Sequence, residues 1–128
     1  MKFKRTESFR HVFERRVEVE YKLVMGEPGS ESFSKSDFCN LVDLSPSGAK
    51  IGMSENLPTE SQLIRIELNF VLYAKPISVQ GDVKWKRVQN GEFVYGVDLD
   101  TDEIIEALII SELKLRRRQE VKEKRLNL

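Results

Sequence analysis

Ile77-Ser78-Val79-Gln80-Gly81-Asp82-Val83-Lys84-Trp85-Lys86 alternates apolar and polar side chains without a break. A period of two belongs to a strand with one buried and one solvated face. Asn90-Gly91 follows, a dipeptide suited to the positive φ angles of a two-residue hairpin. Phe93, Tyr95, Val97 and Leu99 then alternate again, so the stretch reads as two antiparallel strands. The same period recurs upstream. Val17, Val19, Tyr21, Leu23 and Met25 alternate with Glu18, Glu20, Lys22 and Val24. Residues 26–36 have the composition of a loop. Residues 37–44 read as a short strand with Phe38, Leu41 and Val42. Ala49, Ile51 and Met53 mark a third strand, and Ile64, Ile66, Leu68 and Phe70 a fourth. Six short strands separated by turns predict a mainly β fold, an antiparallel barrel or sandwich.

After Leu99 the period becomes helical. Asp100, followed by Glu103, is suited to cap the helix, with Thr101 as the other candidate. Ile104, Ile105, Leu108, Ile109, Leu113 and Leu115 form a broad apolar stripe. No Gly or Pro interrupts residues 102–128. Beyond Leu115 only Val121, Leu126 and Leu128 are apolar, so the first half of the helix packs on the barrel and the second projects or meets a partner. Arg116, Arg117 and Arg118 read as a solvated face with Glu112, Glu120 and Glu123 as partners. The organisation is a basic arm over 1–14, flexible on its own, a barrel over 15–100 and a helix over 101–128.

The chain has 128 residues and a formal net charge of zero, so it lacks the global field that draws a protein to nucleic acid. Basic ends on a small barrel would permit nucleic-acid binding, but the charge balance weighs against it. Cys39 is the only cysteine, which excludes an internal disulfide and fits a buried thiol in a reducing compartment. No apolar run is long enough to span a membrane. The basic N-terminus has no apolar segment behind it, so no signal peptide is indicated and the cytoplasm is the expected compartment. With one cysteine and one histidine, His11, a zinc site is not expected. There is no Gly-x-Ser-x-Gly and no P-loop, and the carboxylates near Asp98, Asp100, Asp102 and Glu103 fit capping better than acid–base work. An enzyme is not expected. Trp85 reads as a core or barrel-mouth side chain.

Asp43-Leu44-Ser45-Pro46-Ser47-Gly48 has the form Asp-x-Ser-x-x-Gly and lies between two strands. Alone it is an ordinary Asx or Ser turn. Upstream stands an arm rich in arginine, with Arg5, Arg10, Arg15 and Arg16. Arm and turn together, with Gly81 to Trp85, Tyr95-Gly96-Val97-Asp98-Leu99 and the final helix, resemble the PilZ domain, a bacterial receptor for cyclic di-GMP. The resemblance implies a six-stranded antiparallel β-barrel with a C-terminal helix. It also implies a regulatory protein that binds cyclic di-GMP, changes the conformation of its arm and signals to a protein target. Motility, adhesion or exopolysaccharide control is the implied process.

By resemblance the ligand residues are Arg5, Arg10, Asp43, Ser45 and Gly48, with Lys4, Arg15 and Arg16 as additional candidates. The chemistry suits the ligand. Arginine forks phosphate or the O6/N7 edge of guanine, and a carboxylate accepts from guanine N1 and N2. Gly48 would allow a positive φ or a close ligand approach. The arm departs from the family's Arg-x-x-x-Arg, because Arg5 and Arg10 stand five positions apart. The alternative is therefore a PilZ fold that has lost nucleotide binding and serves as an interaction module. No further cofactor or metal is implied. The long helix also offers a surface for a homodimer.

Overall fold

Strand β1 (His11–Met25) pairs antiparallel along both of its edges, with β3 (Asp37–Ser45) on one side and β5 (Arg65–Val71) on the other. This double pairing closes the sheet. The remaining elements are β2 (Ser32–Phe33), β4 (Gly48–Met53), β6 (Pro76–Gln89), β7 (Glu92–Leu99) and α1 (Glu103–Leu126). The order β1-β3-β4-β7-β6-β5 returns to β1, giving a six-stranded antiparallel barrel; β2 is an extra strand on the outer end of β1. The computed structural model describes residues 10–126.

Alternation fills the barrel. Val19, Leu41, Ile51, Ile66, Leu68 and Tyr95 are fully buried, and Cys39 lies among the core residues, where burial pushes its thiol up to about 12. The buried Tyr95 hydroxyl accepts from the Leu57 N–H at 2.7 Å and donates to the Glu55 carbonyl at 2.8 Å. Tyr21 donates to the Glu55 carboxylate at 2.6 Å. Two tyrosines thus hold the segment between β4 and β5 across the barrel. Asn90 and Gly91 have φ of 53° and 78°, as the hairpin reading requires.

Three local departures have physical causes. Residues 11–14, expected in the arm, belong to β1, and Phe13 is buried. A register shift between Val12 and Val17 breaks the alternation there. Residues 32–33, expected as loop, form β2 by pairing with Val24 and Met25, a ladder too short to leave a period. The helix cap is neither Asp100 nor Thr101. Asp100 is still tied to the barrel, its N–H bonded to the Gln80 carbonyl and its carboxylate paired with Arg65. The chain turns helical only after Asp102, whose Oδ1 accepts the Ile105 N–H at 2.8 Å.

The helix docks through Ile109 and Leu113, both fully buried, and through Glu112 between them, which is 2% exposed. Glu112 is not a surface partner of the arginines. Its Oε1 accepts the backbone N–H groups of Ala74 and Lys75 at 2.8 Å and of Tyr73 at 3.3 Å, so it clamps the β5–β6 turn. Burial opposes its ionisation, but the three backbone donors outweigh that and hold the carboxyl below its ordinary 4.5. Arg116 likewise turns inward. It donates to the Leu72 carbonyl at 2.9 Å, pairs with Glu120 at 3.2 Å and lies over the Phe13 ring.

Glu112→Ala leaves three backbone donors without their acceptor and should destabilise the fold by about 2–3 kcal/mol in chemical denaturation. Glu112→Gln, which keeps an acceptor oxygen, should cost less. A folded pKa below the unfolded one means that the carboxylate's contribution is complete above its ordinary 4.5 and is lost as pH falls through the lowered value. The difference in stability between wild type and Glu112→Gln should therefore shrink on acidification.

Candidate functional site

The β3–β4 hairpin places the polar turn. Ser45 and Gly48 are paired as its last and first strand residues, which leaves Pro46 and Ser47 at the tip. The buried Ser45 hydroxyl donates to the Gly48 carbonyl at 3.3 Å, and the Ser47 carbonyl accepts the Leu99 N–H at 2.9 Å. Gly48 is strand backbone; the glycines with positive φ are Gly26, Gly29 and Gly91.

Asp43 is 4% exposed, and its charge is met from two sides. Arg10 Nη1 lies 2.5 Å from Oδ1 and Lys50 Nζ 3.4 Å from Oδ2. The register explains Lys50, which sits directly opposite Asp43 on β4. A buried carboxylate needs such partners. Arg10 lies one residue before β1, so the carboxylate also anchors the end of the arm.

Arg10 and Lys50 form one side of a cleft of about 190 Å3 on the outer face of the barrel. Gly48 and Ala49 of β4, with Gly96 and Val97 of β7, contribute its strand surface, and Asp98 lies at its border. Lys84 and Trp85 form the other side. Neighbours in a regular strand point to opposite faces, but β6 carries a bulge between Val83 and Trp85, so both line the cleft. Trp85 is 36% exposed and lies on Gly96, where any side chain would collide with the indole. The Arg87 guanidinium sits over the same ring, 4.7 Å from its centroid. Trp85 is therefore an outer-face residue and not part of the core. Three cations beside an exposed aromatic plane suit an anionic ligand that carries a flat ring.

A family model for the PilZ domain matches residues 5–114. The chain belongs to the PilZ family. The PilZ domain of CeSA from a cellulose-synthesizing bacterium has the same fold, with a TM-score of 0.50 at 20% identity over 86% of this chain and 98% of that one. The inhibitor of motility MotI/DgrA of Bacillus subtilis gives a TM-score of 0.49 at 9% identity, over 86% of this chain and 52% of that one. No curated protein matches the chain. PilZ domains are regulatory binding modules of the cyclic di-GMP type rather than enzymes.

In this PilZ domain, Arg10 and Asp43 meet, and Gly48 lines the cleft while Ser45 braces the turn beneath it. Arg5 and Lys4 lie outside the described residues. Arg15 and Arg16 do not line this cleft. Arg16 pairs with Glu92 at 2.6 Å, and Arg15 lines a second cleft, of about 290 Å3, between β1 and α1. Four charges of that second cleft pair with one another, Lys124 with Glu14 at 2.5 Å and Arg116 with Glu120. Among the described residues no cluster suited to a metal ion is present, and no helix is long and apolar enough to cross a membrane. Lys50, Lys84 and Arg87 escaped the sequence reading as site residues, and Gly96 entered it only within the family pattern. Register and the β6 bulge bring Lys50, Lys84 and Gly96 to the cleft and Arg87 over Trp85, and neither leaves a local sequence signal.

Trp85 is the only tryptophan, so its fluorescence reports the cleft directly. Gly96→Val should displace the indole into water. The expected result is red-shifted emission and stronger acrylamide quenching, with an unchanged far-UV circular dichroism spectrum.

Proposed function

We propose that this PilZ domain is a cytoplasmic cyclic di-GMP receptor that passes its ligand state to a protein partner. The observation that carries the reading is Arg10 held by the buried Asp43 at the lip of a cationic cleft with an exposed indole. Arg10 would exchange Asp43 for a ligand phosphate or a guanine edge. Lys50 would keep the carboxylate company, leaving Asp43 able to accept from guanine N1 and N2. Gly48 would admit the ligand close to the backbone, Ser45 would hold the turn in shape, and Trp85 would stack on a base. The cleft is smaller than the 300–1,000 Å3 or so typical of small-molecule sites, so Arg5 and the rest of the arm would complete it.

The residues that follow Arg10 suggest how binding would be felt elsewhere. His11 Nε2 lies 3.5 Å from Glu120, Phe13 lies under Arg116, and Glu14 pairs with Lys124. A pull on Arg10 would therefore disturb contacts with the far half of α1, and a partner could read that change. Motility, adhesion and exopolysaccharide output are the processes in which such a receptor would act.

The altered arginine spacing supports a second reading, a PilZ domain that no longer binds nucleotide and works through its helix. Isothermal titration with cyclic di-GMP separates the two. The receptor reading expects saturable binding that Arg10→Ala, Asp43→Ala and Trp85→Ala each weaken by about tenfold or more, roughly 1.4 kcal/mol or above. Absence of binding to folded wild type would favour the second reading. Binding that survives all three substitutions would keep the ligand and reject this cleft.

A further inference from the structure

A ridge of cations runs along the far half of α1. Lys114, Arg118, Lys122 and Arg125 stand three or four positions apart, so they are neighbours on the helix surface. They face away from the side that Ile109, Glu112 and Leu113 bury, and all four are exposed. None makes an ion pair among the described residues. No acid lies three or four positions from any of them. The nearby acids turn elsewhere, Glu112 to the β5–β6 turn and Glu120 to Arg116 and His11. Like charges at this spacing oppose helix formation. The helix dipole offsets that cost only in the last turn, at Lys124 and Arg125, and not at Lys114 or Arg118. The ridge is therefore a local cost to the fold, and an anion laid along it would remove that cost.

Beside the ridge lies a groove of about 430 Å3 between α1 and the β5–β6 turn. Tyr73 and Leu126, 47% and 77% exposed, line it with Leu115. Arg118 and Lys122 stand on its ridge side and Glu123 on the other. We propose that ridge and groove together bind an acidic amphipathic segment of a partner protein. Its carboxylates would lie along Lys114, Arg118, Lys122 and Arg125, and its apolar side chains against Tyr73, Leu115 and Leu126. The steps match. Four helical residues advance about 6 Å, close to the roughly 6.8 Å between same-face residues of an extended chain and to the 5.4 Å or so of one helical turn. A lipid surface fits less well, because these apolar side chains line a recess and Glu123 sets a carboxylate beside it. The same carboxylate and the zero net charge disfavour nucleic acid. The inference rests on the partner half of the proposed function and not on nucleotide binding.

Fluorescence anisotropy tests it on the full chain without nucleotide. The probe is a labelled synthetic peptide of glutamates bearing a stripe of leucines. Saturable binding that salt weakens is expected. Arg118→Glu and Lys122→Glu should each weaken it roughly tenfold. Tyr73→Ala and Leu126→Ala should weaken it as well, and a leucine-free glutamate peptide of the same length should bind less tightly. Lys35→Glu, the same charge change between β2 and β3, should leave binding unaltered. Lys122→Glu places a carboxylate within reach of Arg118 and Arg125, so its melting temperature should equal or exceed that of wild type while peptide binding falls. That split separates a lost contact from a lost fold. No binding at low salt, or binding indifferent to the two charge reversals, overturns the proposal. Equal binding of the leucine-free peptide also overturns it, as does tighter binding to phosphatidylglycerol vesicles or single-stranded DNA. Failure of cyclic di-GMP to bind leaves all these outcomes readable, because none of them involves the nucleotide.

Discussion

A carboxylate taken out of water must find cations or amide donors, and two buried carboxylates organise this molecule. Asp43 draws Arg10 and Lys50 to itself on the outer wall of the barrel. Glu112 draws three backbone N–H groups of the β5–β6 turn and seats the helix. One carboxylate fixes the end of the arm and the other fixes the helix. Neither is a large source of net stability, since desolvation offsets much of what pairing returns. Each selects a single arrangement from several that apolar packing alone would allow.

The start of β1 lies between these two anchors. Arg10 reaches Asp43, while His11, Phe13 and Glu14 in the next few positions touch the helix. His11 is half-buried against Phe13, ring to ring at 4.7 Å, and that burial lowers its pKa despite the nearby Glu120. It remains neutral at pH 7, so its contact with Glu120 is a soft one. The register shift between Val12 and Val17 loosens the ladder in the same segment. A segment weakly held by its sheet, with one strongly held end, is suited to move as a unit.

The strands were legible in the sequence wherever period two ran unbroken, as from Ile77 to Lys86, and the Asn90-Gly91 turn was legible because its backbone demands are local. Arg10 and Asp43 were legible as partners only through the family pattern. Three things were hidden. Glu112 looks like any other acid in a charge-rich helix, because nothing local marks a carboxylate that will meet the amides of a distant turn. Trp85 continues an alternating run, and the bulge that turns it outward beside Lys84 depends on pairing with β7. Lys50 and Gly96 take their places from register across strands, a long-range property. The helix cap moved from Asp100 to Asp102 for the same reason, a bond from Asp100 to Gln80 that only the folded barrel supplies.

Closure through β1 also sets an order on folding. The Asn90-Gly91 hairpin joins neighbours in sequence and can form early, on the timescale of isolated hairpins. The ladder from Val24 to Arg65 joins segments far apart in the chain, and each such ladder carries the entropy of closing a long loop. During synthesis the first strand must wait, with one edge unsatisfied, until β5 has emerged. Its run of Glu18, Glu20 and Lys22 guards β1 against pairing with other chains in the interval.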